Sequence, residues 1–253
     1  MKILERSIQL YRKVDNNESM EEMHKRVMEG LSKIEAPLGL MNSEIPKTPD
    51  FGTELICFYD TKNIKTKGVS IEGDYLWRGL TGINWDKLRY EFKITYKLID
   101  YQKIIFENLP KVTEVYDPYI VRLHIPYYNI AYEEGRTPET ITYYDSENPN
   151  FLKLKETGVE IGILYDALFT LFPVMYFNEE CYDKLIKVSK EELLKKIMAN
   201  IDLEKLTLLY EGKAKKVLLL EKGVYIIFND KADISYEEFV EMNETFKPLL
   251  GLI

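Results

Sequence analysis

The sequence predicts an α+β protein with a largely antiparallel sheet and flanking helices. Three observations carry this. The stretch Val159–Phe177 is the most apolar window in the chain and breaks into strand-like pieces. Leu88–Lys97 alternates apolar and polar residues with a period of two, as a sheet with one buried and one wet face requires. Helical stripes opened by Ser-x-x-Glu boxes are scattered among the strands without the regular β-α-β alternation of a doubly wound fold.

The apolar window is read as the centre of the core. In it Val159, Ile161 and Ile163 alternate with Glu160 and Gly162, and Phe172–Phe177 forms a second strand with Pro173 near its start. Between them Leu164, Ala167, Leu168 and Leu171 also fit a helical connector. Asp166 and Pro173 interrupt the run, which is too short and broken to serve as a membrane span.

In chain order, the first helix is expected over about Ser19–Glu35. Ser19 and Glu22 form a capping box, and Met20, Met23, Val27, Leu31 and Ile34 make one stripe. Glu54–Tyr59 and Lys67–Glu72 are short strands that pair with each other. In Leu88–Lys97, Leu88, Tyr90, Phe92, Ile94 and Tyr96 share the buried face. Asp100–Leu109 is helical, with Pro110 expected to end it. Tyr119–Ile125 is another strand. Pro126–Asn150, rich in Tyr, Pro and acids, reads as a long exposed loop or splayed hairpin with a strand at Glu139–Tyr144. Ser189 with Glu192, and Ser235 with Glu238, cap two later helices. Between these lie a strand at Leu206–Tyr210 and a hairpin of Lys216–Leu220 with Val224–Asn229, in which Gly223 supplies a positive-φ position. The chain is either one α+β domain over residues 1–253 or two lobes with a boundary near 150–157.

Composition bounds the function. The net charge of −8 disfavours nucleic acid, whose binding needs clustered Lys and Arg, and favours a basic partner. The two cysteines, Cys57 and Cys181, form no C-x-x-C pair, and the charged N-terminus is no signal peptide, so a cytoplasmic protein is expected. No membrane association is expected.

The sequence carries no complete catalytic or metal signature. His24 and His124 have no partner at ligand spacing, so no metal is expected. Asp145–Glu156 departs from a calcium loop at Pro149 and Asn150. A Cys57–His124 pair is weaker than the reading of Cys57 as a small buried hydrophobe. His124 shares its strand face with Arg122, a face expected to be wet. The Glu-Glu pairs at 133–134, 179–180, 191–192 and 237–238 point their carboxylates in different directions, and those at 191–192 and 237–238 suit first helical turns. No cofactor and no catalytic residue is assigned.

The 19 tyrosines point elsewhere, because Tyr combines apolar area with a hydroxyl and recurs at binding surfaces, although it also suits strands. Tyr127, Tyr128, Tyr132, Glu133, Glu134, Tyr143, Tyr144 and Asp145 are the candidate partner-binding residues. The alternative is that these tyrosines pack their segment onto the sheet.

A longer pattern runs through the chain. It comprises a capped N-terminal helix, Trp77 and Trp85 near paired strands, a helix leading to Tyr116-Asp117-Pro118-Tyr119, the core ending Met175-Tyr176-Phe177, and Gly223-Val-Tyr-Ile-Ile227. This pattern resembles the immunity proteins of bacterial polymorphic toxin systems, loosely the immunity protein 52 type. The resemblance implies a small α+β cytoplasmic protein that binds and neutralises a cognate toxin, and it carries no functional residue onto this chain. The expected function is therefore a non-enzymatic binding protein with a protein partner, a basic toxin domain. The alternative is an enzyme using carboxylates and tyrosines.

Overall fold

The computed structural model describes residues 4–47, 58–60, 68–74, 85–94, 99–141, 163–164, 167–168, 170–199 and 217–252. The chain divides into two compact units, Met1–Ile125 and Pro126–Ile253. The expected boundary at 150–157 lies outside the described residues, as do Cys57, Trp77, Val159–Gly162 and the strand expected at Leu206–Tyr210. Helices and antiparallel ladders make up both units, so the α+β class holds.

The first unit is built on a strand that the sequence reading did not single out. β1 (Leu4–Lys13) pairs along its whole length with β4 (Trp85–Ile94) and on its other side with β5 (Ile120–His124). β3 (Val69–Asp74) joins β4, and β2 (Phe58–Asp60) joins β3, giving the order β2-β3-β4-β1-β5. The expected pairing of the two short strands is thus present.

Register explains the burial. Ile71, Tyr90, Ile8 and Leu123 stand opposite one another across four strands, and all are fully buried. The neighbouring row on the other face is Glu72, Arg89, Gln9 and Arg122. There Arg89 pairs with Glu72, and the Arg122 Nε donates to Gln9 Oε1 at 2.8 Å. Tyr11 lies between Lys87 and Arg122, with its ring centroid 5.6 and 5.5 Å from the two cations. Arg122 is therefore buried rather than wet, while His124 is half-buried. A buried charged group needs such pairing to offset its lost hydration.

On the apolar side, α1 (Met20–Leu31) starts at Ser19 with both halves of the capping box formed. Its Met23, Val27 and Leu31 are fully buried, each contributing roughly 2 kcal/mol through burial. α1 crosses α3 at Gly30, where a Cβ would sit 2.3 Å from the Val115 Cγ1, so only glycine permits the approach. Pro110 does not stop the helix. α2 (Tyr101–Lys103) passes through a π turn, Ile104–Asn108, into α3 (Leu109–Tyr116), with Pro110 in its first turn. The wider i→i+5 turn makes room at the point where the proline ring would clash with a carbonyl and its missing N–H would break a bond.

At the edge of this unit, Glu18 binds Arg12 Nη2 at 2.7 Å and Arg26 Nε at 2.8 Å, and Arg26 Nη1 donates to the Val115 carbonyl at 2.7 Å. Burial alone would raise the Glu18 carboxyl. The hydrogen bonds and charges of Arg26 and Arg12 outweigh it and hold the group below its ordinary value.

In the second unit the end of the apolar window forms β8 (Val174–Asn178), as expected, and its residues from Leu171 to Phe177 are buried. The helical connector is replaced by two short paired strands, β6 (Ile163–Leu164) and β7 (Ala167–Leu168). β9 (Val217–Leu220) and β10 (Gly223–Ile227) form the expected hairpin, with β10 also pairing with β8. Gly223 is required for a different reason from the one expected. It is not among the glycines with positive φ. Instead β8 passes so close that a Cβ on it would lie 2.2 Å from the Phe177 carbonyl oxygen.

Four helices lie among the described residues of this unit. α4 (Tyr128–Glu134) and a 3-10 turn at Pro138–Thr140 occupy the part of Pro126–Asn150 that is described, where a loop or hairpin was expected. α5 (Glu179–Leu185) follows β8 directly, its first turn capped by the Asn178 side chain on the Cys181 N–H. α6 (Lys190–Ala199) has Ser189 accepting from the Glu192 N–H at 3.1 Å. α7 (Tyr236–Leu249) opens with the complete Ser235–Glu238 box.

Candidate partner-binding surface

Five of the eight candidate residues lie at the start of or within α4; Tyr143, Tyr144 and Asp145 lie outside the described residues. The helix is short, and its ends are set by two left-handed residues, Tyr127 (φ 67°) and Gly135 (φ 63°). Such a short helix has little intrinsic stability and needs side-chain docking to persist.

α7 provides that docking. Tyr128 and Tyr132 are four residues apart and so share one helix face. The Tyr128 ring meets Tyr236 and Phe239 edge-on, each at 5.4 Å between centroids, and its hydroxyl donates to the Ile234 carbonyl at 3.4 Å. Tyr132 meets Phe239 edge-on at 6.3 Å, with the Lys247 ammonium 5.2 Å over its ring. Edge-to-face pairs of this kind contribute about 0.5–1.5 kcal/mol each beyond area burial. Tyr236 ties the far end of the segment by donating to the Arg136 carbonyl at 2.9 Å.

The two acids of α4 also point inward. Glu133 accepts a hydrogen bond from the Thr170 hydroxyl. Burial pushes its carboxyl above the ordinary range, and the Thr170 bond and Lys247 only partly oppose this. The Glu134 side chain is 8% exposed; one oxygen takes Arg136 Nη1 at 3.1 Å, and the other is buried with no partner among the described residues. The Tyr132 phenol is raised first by burial and then by the charges of Glu133 and Glu244. Tyr236 is raised by burial, then by Tyr132.

The structure therefore docks Tyr128 and Tyr132 on α7, turns Glu133 to Thr170, and leaves Tyr127 outside, 45% exposed. Among the residues whose side chains are described, it is the exposed aromatic. Beside this seam α7 turns Glu237, Glu241 and Glu244 to solvent at spacings of four and three, which is one helix face. These glutamates and Lys247 were missed from sequence. Their signal was present in the periodicity, because the inward residues Phe239, Met242 and Phe246 leave these acids on another face.

One open cavity, of about 620 Å³, lies over the α5–α6 joint and is lined by Tyr182, Asp183, Lys187, Ser189, Lys190 and Glu191 among others. Two of its polar side chains are already engaged. The Tyr182 hydroxyl donates to the Val188 carbonyl at 3.0 Å, and Lys190 pairs with Glu179 at 3.0 Å. Burial pushes the Tyr182 phenol up to about 12, helped by Asp183 and Glu192.

Among the described residues there is no group of three or more His, Cys, Asp or Glu placed to hold a metal. His24 is buried, with Nε2 3.3 Å from the Pro46 carbonyl. Burial lowers its pKa, opposed by its bonds to the Pro46 and Lys47 backbone. No helix among the described residues is long and apolar enough to cross a membrane.

No family model matches the chain, and no curated protein matches it. Among solved structures, the Pseudomonas aeruginosa T6SS protein PA0821 is similar with a TM-score of 0.41 and 13% identity, over 99% of this chain and 76% of that one. A likeness at that score and identity carries no argument about what this chain does.

Proposed function

We propose that the chain is a non-enzymatic protein-binding protein, most concretely an immunity-type inhibitor that binds and neutralises a basic bacterial toxin domain. The observation that carries this reading is the surface where α4 meets α7. An exposed tyrosine, Tyr127, stands at the head of a helix locked by aromatic contacts, and the outward glutamates of α7 run alongside. Rigid tyrosines give contact area at low entropic cost, and acids steer a basic partner to them. The proposed contact segment carries Tyr127, Tyr128, Tyr132, Glu133 and Glu134, with Tyr143, Tyr144 and Asp145; in it Tyr127 faces out, while Tyr128, Tyr132, Glu133 and Glu134 support it from within. The net charge of −8 supports a basic partner, and the sequence resemblance to immunity proteins supports the class.

The test is genetic. The reading frame adjacent to the gene is expressed with and without this protein. Survival that depends on this protein is the expected outcome. Equal killing in both strains would remove the immunity reading.

A further inference from the structure

Tyr127 has φ 67° and ψ −14°. A bulky L residue rarely adopts this conformation, because its Cβ crowds the following carbonyl. Glycine is the ordinary occupant, and asparagine the next. Nothing on the helix side explains the tyrosine. Its side chain makes no capping hydrogen bond to α4, and the contribution of its backbone, the carbonyl that accepts from the Ala131 N–H at 2.9 Å, could come from any residue. The residue is 45% exposed, so burial does not offset the strain. The base beneath it is rigid, since the adjacent Tyr128 is held by two ring contacts and a hydrogen bond. Tyr128 in turn packs on Tyr236, the residue next to Glu237, so the acid row of α7 begins beside this helix.

We infer that Tyr127 is the anchor side chain of the surface, and that its ring takes an arginine or lysine side chain of a basic protein partner. The inference rests on the binding-protein reading above. A cation is attracted to the face of an aromatic ring, and the α7 glutamates complement the same charge. Strain at an exposed bulky residue persists where function requires it. An aromatic ring in that position, with two side-chain torsions to fix, loses little entropy on binding.

The experiment compares wild type with Tyr127→Gly, Tyr127→Asn and Tyr127→Phe, using as probe the purified product of the adjacent reading frame. The Gly and Asn variants should show raised urea midpoints and bind the probe about tenfold or more weaker, as expected on losing an interface anchor. The Phe variant keeps the ring and should bind within about threefold of wild type. Wild type that binds, with Tyr127→Gly binding within about twofold, would overturn the anchor and leave the binding reading standing. A lowered urea midpoint for Tyr127→Gly would show that the tyrosine serves the fold, and would overturn it too. Wild type that fails to associate would remove both readings together.

Discussion

Asn243 should be among the costliest polar residues to remove from this fold. It lies on α7 with no exposed surface. Its Oδ1 accepts from the Leu171 N–H at 2.7 Å, and its Nδ2 donates to the Leu171 carbonyl at 3.1 Å and the Phe239 carbonyl at 3.0 Å. Leu171 is itself fully buried and precedes β8, where a strand ladder does not serve its backbone. Removing the amide therefore strands one N–H and one C=O in the core, at about 1–3 kcal/mol for each group. The Phe239 carbonyl sits inside a helix, four residues before Asn243, where the backbone ladder serves it. Asn243→Ala should thus lose about 4 kcal/mol, with a small cavity added. Asn243→Leu restores volume but not the bonds, and should still lose at least about 2 kcal/mol. Urea unfolding followed by circular dichroism measures both, and exchange of the Leu171 amide gives a local check. If Asn243→Leu were within about 0.5 kcal/mol of wild type, volume rather than hydrogen bonding would be what the residue supplies.

Other consequences are equally direct. Gly223→Ala places a methyl 2.2 Å from the Phe177 carbonyl, and should cost about 1–3 kcal/mol or more by forcing β8 and β10 apart; unchanged urea stability would show that the hairpin yields freely. Ser19→Ala and Ser235→Ala each remove a complete capping box and should each cost about 1 kcal/mol, read as lowered urea midpoints. Glu133 is raised in the fold, so its folded state binds protons more readily than its unfolded state. The associated stability is present below the ordinary carboxylate value of 4.5 and lost as pH rises through the higher folded value. Glu133→Gln should therefore stabilise the protein at neutral pH, with the gain fading in acid, and a pH series of urea midpoints would expose a gain of the opposite sign.

What was legible in the sequence was local. The boxes at Ser19 and Ser235 declare their helices because the capping bonds join residues three apart. The Leu88–Phe92 alternation declares its strand because one face is dry. β1 was not singled out, although it is central. Its inward positions run Arg6, Ile8, Leu10 and Arg12, and the buried arginines at both ends disguise the apolar pattern. α4 was hidden because no capping residue announces it: a left-handed tyrosine takes that place, and the helix depends on aromatic contacts with α7, about a hundred residues on. The continuation of helix past Pro110 depends on a π turn, which no periodicity announces. At the candidate surface, composition singled out the tyrosines and acids of α4. Which of them turn inward was not legible, since Tyr128 and Tyr132 find their partners only in the fold.

The central claim is that an acidic, tyrosine-bearing surface binds a basic protein. The most direct measurement is the association rate of this chain with the purified product of the adjacent reading frame, across a salt series. Electrostatic steering predicts rapid association at low ionic strength that falls steeply as the Debye length shrinks from about 30 Å at 0.01 M to about 8 Å at 0.15 M. Replacing Glu237, Glu241 and Glu244 together by Gln should flatten that dependence while the circular dichroism spectrum is unchanged. No complex at micromolar concentrations, or a rate indifferent to salt and to the triple replacement, would contradict the claim.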